Sequence, residues 1–187
     1  MCMSLCSAFK ILDKNVTSEV KNIVKIFNGR KNNKDADIKL KFFDQLILQS
    51  QSEITDSLKG KSAIYIFCLT KDFTPSVYFD NDYYSSKRRD KNIAQFNKWD
   101  HPLYLGKTYT AQSRLTEHYS DQDKSPYSLK LNLPNRCDNT GAKLSQLCNV
   151  MVFLLKEKYE IRKNILLPVV EDKLHEELKP YVGSPRV

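Results

Sequence analysis

Two short apolar runs constrain this chain more than any other feature. Ala63 to Leu69 reads AIYIFCL, and Val150 to Leu155 reads VMVFLL. Runs of this length, rich in β-branched and aromatic side chains, suit buried strands rather than helices. The second run belongs to a strand predicted over 147–156, with Val150, Val152 and Leu154 alternating with Met151, Phe153 and Leu155. A third short strand is expected at Leu103-Tyr104-Leu105-Gly106, after His101-Pro102. Neither run approaches the ~20 residues a membrane span needs, so no membrane partner is expected.

The flanking segments have helical spacing. Phe9, Leu12, Val16, Val20, Ile23, Val24 and Phe27 recur at three- and four-residue steps, predicting a helix over 7–28 that stops at Asn28-Gly29. Residues 31–37 read as a loop, and Ile38, Phe42, Leu46, Ile54 and Leu58 suggest a second helix over 38–58. Lys59-Gly60-Lys61 is the clearest punctuation and closes an N-terminal helical arm, 1–60. Further on, Thr108 or Thr110 is positioned to cap a helix reaching about Tyr119, and Pro126 to Leu133 reads as a short helical turn. A last helix, with Pro168 in its first turn, runs to about Lys179 before Pro180 and Gly183. The expected fold is α/β in the α+β sense: a small three-stranded sheet, mixed or antiparallel, flanked by helices. It occupies 61–187, with an insertion at about 70–100 carrying the basic cluster Lys87-Arg88-Arg89.

Composition limits the function classes. Hydrophobic residues make up 41% of the 187, enough for a real core, which argues against global disorder. The net charge of +8 favours an anionic partner, with nucleic acid the first candidate. The five cysteines are odd in number, contain no C-x-x-C pair and follow no secretory signal, so reduced thiols in a cytoplasmic protein are expected. Cys2 and Cys6 are four apart, but a zinc site would need two further ligands nearby.

Several residues of chemical interest occur in a fixed order. Tyr65 lies within A-I-Y, and Tyr104 and Gly106 lie within Y-L-G. Arg114 follows eight residues later on a helix, and His118 is four further on, on the same face. Glu171 is placed at the start of the last helix. Taken singly each has an ordinary explanation: a core tyrosine, a solvated helix face, or a carboxylate favoured by a helix dipole.

The ordered set resembles the GIY-YIG nuclease family. It rests on A-I-Y at 63–65, Y-L-G-K-T at 104–108, S-R-L-T-E-H at 113–118 and V-E-D-K-L-H-E-E-L-K-P at 170–180, and covers roughly residues 61–183. Ala63 stands where the family usually has Gly, 39 residues separate Tyr65 from Tyr104, and no Asn follows Pro180. The resemblance implies a metal-dependent DNA endonuclease of the compact, restriction-like kind, acting on double-stranded DNA, with a homodimer as one arrangement. It implies that Tyr65 is the general base or positions the water, that Tyr104 positions phosphate or water, and that Arg114 stabilises the transition-state charge. His118 would hydrogen-bond to Tyr65 or assist its proton transfer, and Glu171 would be the sole protein ligand of Mg²⁺ or Mn²⁺. Gly106, Lys107, Lys87, Arg88 and Arg89 are the expected substrate contacts. The alternative is a nucleic-acid-binding module without catalysis.

Overall fold

The computed structural model describes residues 5–29, 38–70, 102–120, 128–132, 137 and 140–180. The basic cluster Lys87-Arg88-Arg89, most of the expected insertion and His101 lie outside the described residues. The elements are α1 (Leu5–Gly29), β1 (Phe43–Leu48), β2 (Ala63–Leu69), β3 (Pro102–Thr108), α2 (Ala111–Tyr119), β4 (Cys148–Leu155) and α3 (Lys163–Leu178). The strands form one antiparallel sheet in the order β1-β4-β2-β3.

All seven residues of β2 are buried, because the strand is central and both sheet faces are covered. Ala63, Tyr65, Phe67 and Leu69 pack towards α2 with Leu115, Tyr119, Val150 and Val152. Ile64, Ile66 and Cys68 pack on the opposite face with Met151 and Phe153, against α1 and α3. The apolar stripe of α1 (Val16, Val20, Ile23, Phe27) and that of α3 (Leu166, Leu167, Val170, Leu174) close this second layer. Fully burying one such aliphatic side chain contributes about 1.5–3 kcal/mol.

The structure corrects the sequence reading in three places. The sheet has four strands rather than three, because the segment expected as a second helix supplies β1. The four-residue spacing of Phe42 and Leu46 imitates a helix, but β1 pairs with β4 from Phe43↔Leu155 to Leu48↔Val150. Without β1, that edge of β4 would leave its backbone polar groups unpaired. The rest of 38–58 forms 3-10 turns at Gln51–Glu53 and Asp56–Leu58. The expected arm is thus partly sheet, and α1 is fastened to it through Glu19. That carboxylate is 2% exposed and accepts the backbone N–H of Phe42 at 2.6 Å and of Lys41 at 2.9 Å.

The third correction concerns the last helix. It begins at Lys163, after a 3-10 segment Glu157–Arg162, so Pro168 lies inside it rather than in its first turn. Proline is tolerated there because the carbonyl it leaves without a donor is that of exposed Asn164. Glu171 therefore sits about two turns into α3. A macrodipole contribution falls off within the first turn, so it does not account for this carboxylate. The helix ends at Lys179 in the left-handed conformation, φ 47° and ψ 63°.

Ala63 keeps regular register, opposite Thr108 on one side and Leu154 on the other. Among the described non-glycine residues only Lys130 and Lys179 have positive φ, so glycine is not required at 63. No helix among the described residues is long and apolar enough to cross a membrane.

Candidate functional site

The β2–β3 register sets Tyr65 directly opposite Gly106 and Phe67 opposite Tyr104. Tyr65, Tyr104 and Gly106 therefore share the face covered by α2. The two tyrosine rings lie 6.0 Å apart, 29° from parallel. Gly106 is needed for space: a Cβ there would lie 2.7 Å from Tyr65 Oη and 2.9 Å from Tyr104 Cε1.

Helix α2 delivers Arg114 and His118 to the same hydroxyl. Tyr65 Oη lies 3.0 Å from His118 Nε2, and Arg114 Nε donates to it at 3.4 Å. The direction of the first bond is fixed by the other side of the ring, where His118 Nδ1 accepts the Leu129 N–H at 3.0 Å. Burial, followed by the Arg114 charge, holds the His118 pKa well below its usual value, so the ring is neutral. A neutral imidazole accepting at Nδ1 carries its proton on Nε2. His118 therefore donates to Tyr65.

Tyr65 is a phenol in this arrangement. Burial first, then the neighbouring Tyr104, raises its pKa well above 10, while Arg114 pulls it down. Two donors nonetheless converge on its oxygen, an arrangement that favours the charged form once a proton leaves. Burial works against the charge on Arg114, but Tyr65, Glu117 and Tyr104 outweigh it and hold its pKa up. Glu117, one turn along α2, pairs with Arg114 Nη1 and orients the guanidinium.

Glu171 approaches from the other side of the sheet. Its Oε1 accepts the backbone N–H of Lys107 at 3.1 Å, and its Oε2 pairs with the Lys107 ammonium. Lys107 directly follows Gly106, whose α-carbon lies beneath Tyr65. With standard bond lengths, the Tyr65 hydroxyl and the Glu171 carboxylate lie within about 10 Å of each other. Groups from helices on opposite faces thus meet around β3, the edge strand. Tyr65, Tyr104, Gly106, Arg114 and His118 come together on the α2 face, while Lys107 and Glu171 meet on the α3 face of the same edge strand; Lys87, Arg88 and Arg89 lie outside the described residues.

As a cation site, the described residues around β3 offer one hard carboxylate, that of Glu171. Among the described residues no group of three or more His, Cys, Asp or Glu side chains is positioned to hold a metal ion. Glu171 Oε2 already carries a positive group, the Lys107 ammonium, so the carboxylate suits a cation there.

Three participants were not among the expected site residues. Glu117 has a sequence signal, its three-residue spacing from Arg114. The Leu129 amide has none, because a loop brings it to His118. The third is His175, one turn beyond Glu171 on α3, which is 6% exposed with an unpartnered Nδ1.

Comparison with family models, with curated proteins and with solved structures finds no match to this chain.

Proposed function

We propose that this protein is a divalent-cation-dependent endonuclease of the GIY-YIG type, hydrolysing phosphodiester bonds in DNA. The observation that carries this reading is the convergence of His118 and Arg114 on the Tyr65 hydroxyl, beside a glycine whose neighbour holds Glu171. An ordinary core tyrosine needs one partner for its hydroxyl. Two donors, one cationic, are more than burial requires, and they match a group that carries negative charge during a reaction.

In this mechanism Tyr65 takes the proton of the attacking water after passing its own outward through the half-buried Tyr104 hydroxyl beside it. His118 Nε2–H and Arg114 Nε–H stabilise the phenolate. His118 itself does not take up that proton, because Nε2 already bears hydrogen and Nδ1 is engaged by Leu129. The remaining guanidinium donors of Arg114 suit a phosphate oxygen, where charge grows in the transition state. Tyr104 positions phosphate or water. Glu171 would hold Mg²⁺ or Mn²⁺, whose chemistry is to supply positive charge for a departing oxygen. The net charge of +8 favours the polyanionic substrate, and a homodimer would cut both strands.

The test is plasmid cleavage with Mg²⁺ or Mn²⁺ by the wild type, Tyr65→Phe and Glu171→Gln, with circular dichroism as a folding control. Cleavage by the wild type and its loss in both folded variants is the expected result. Salt-dependent DNA binding with no cleavage by the wild type would replace this reading with that of a non-catalytic binding module.

A further inference from the structure

His175 has no role in the mechanism above, yet its surroundings are those of a ligand. It lies four residues after Glu171 on α3, and therefore on the same face one turn away. Helical side chains lean towards the N-terminus, so the ring leans back over the turn that carries Glu171. The residue is 6% exposed, and its Nδ1 is buried with no hydrogen-bond partner. A buried nitrogen lone pair left without a donor is uncommon.

The Leu105 backbone on β3 lies against the ring and favours its protonated form. Since the buried Nδ1 makes no hydrogen bond, Nε2 is the nitrogen left to face that backbone. Metal-bound histidines characteristically donate their second N–H to a backbone carbonyl or carboxylate, which fixes the tautomer and aims the free lone pair. Burial lowers the His175 pKa, while the Glu171 charge raises it and the Lys107 charge lowers it. Both charged groups are thus within electrostatic reach of the ring.

We propose that Glu171 and His175 are a two-donor site for a divalent cation, and that the Lys107 ammonium occupies the cation's place in the free protein. The proposal rests on the reading of Glu171 as a cation ligand and adds to it a nitrogen donor and an internal competitor. One carboxylate alone gives a hard oxygen site suited to Mg²⁺. An added imidazole shifts preference towards later transition ions such as Co²⁺. Lys107 holds both carboxylate oxygens, Oε1 through its amide and Oε2 through its ammonium. A cation entering at Oε2 therefore displaces Nζ first.

The test is calorimetric titration with Co²⁺ and with Mg²⁺ of the wild type, Lys107→Met, and Lys107→Met combined with His175→Gln or with Glu171→Gln. Lys107→Met is expected to bind Co²⁺ at least ten-fold more tightly than the wild type. Adding His175→Gln is expected to reverse most of that gain while changing Mg²⁺ affinity less than two-fold. Glutamine keeps a donor for the Leu105 backbone, and the Mg²⁺ arm controls for a structural effect. Co²⁺ affinity unchanged by Lys107→Met, or unchanged by the added His175→Gln, overturns the inference. If Glu171→Gln also leaves Co²⁺ and Mg²⁺ binding unaltered, the reading of Glu171 falls with it. A measurement independent of every substitution is nuclear magnetic resonance of the wild-type histidine rings. Saturating Co²⁺ is expected to shift or broaden the His175 signals, and their persistence unchanged at saturation overturns the proposal.

Discussion

The His118 ring stands between two partners, donating from Nε2 to the Tyr65 hydroxyl at 3.0 Å and accepting the Leu129 N–H on Nδ1 at 3.0 Å. Its tautomer is therefore set by a loop amide, and its orientation towards Tyr65 follows. The ring is packed between aromatic neighbours, with Phe67 and Tyr104 both 5.1 Å away between centroids.

His118→Ala removes one donor from Tyr65 and leaves the Leu129 N–H buried without an acceptor. Loss of one donor aimed at developing charge lowers turnover by about 10²–10³-fold. The unpaired amide costs about 1–3 kcal/mol of stability. Cleavage rates and urea denaturation measure the two effects separately. An unchanged rate in the folded variant would falsify the role given to His118.

Rate should depend on pH through Tyr65. Its pKa lies well above 10 in the free protein, chiefly through burial, so phenolate is the minor form at neutral pH and grows with alkalinity. The logarithm of the single-turnover rate is expected to rise by about one per pH unit from pH 7 to 9. In Tyr65→Phe any residual rate should lack this slope. A flat wild-type profile would show that Tyr65 is not the base.

Stability should fall in acid. His118 and His175 both have folded-state pKa values below that of the unfolded chain, mainly through burial. The unfolded state thus binds more protons as pH drops below about 6.5. Their contribution is fully present above that pH and is lost below it, at up to about 1.4 kcal/mol per unit per histidine. Urea melts from pH 7.5 to 5 test this, and His118→Asn should flatten the curve.

Gly106→Ala places a methyl group 2.7 Å from Tyr65 Oη. The rings must move apart, with a cost of about 1–3 kcal/mol for overpacking. The bonds of Tyr65 to His118 and Arg114 are then disturbed, so activity should fall further than stability alone explains. Thermal melts alongside cleavage assays distinguish the two losses.

Glu19→Ala strips the acceptor from two backbone N–H groups at the start of β1. Destabilisation of about 2–4 kcal/mol is expected, because the amides lose a charged partner and one is buried. Cleavage per folded molecule should be unaffected, since Glu19 lies on the face opposite Tyr65. Denaturant melts and activity normalised to folded protein check both halves.

Much of the framework was legible in the sequence. The strands Ala63–Leu69, Pro102–Thr108 and Cys148–Leu155, with α1 and α2, follow from apolar runs and helical spacing. Arg114 and His118 were readable as one helix face. β1 was not, because the spacing of Phe42 and Leu46 fits a helical period, and only the open edge of β4 selects the strand. Glu19 was equally hidden: a carboxylate among helical apolar positions reads as exposed unless two distant amides come to meet it.

The sequence by itself determined which residue types are available and in what order along the chain, since periodicity and composition are local properties. Only the tertiary structure decided that Tyr65 lies opposite Gly106, that a loop amide fixes the His118 tautomer, and that Lys107 ties Glu171 to the far side of the same strand. Those relationships join segments from about 40 to more than 60 positions apart except at the Leu129 loop. They depend on register and layer packing, which local sequence preferences do not encode.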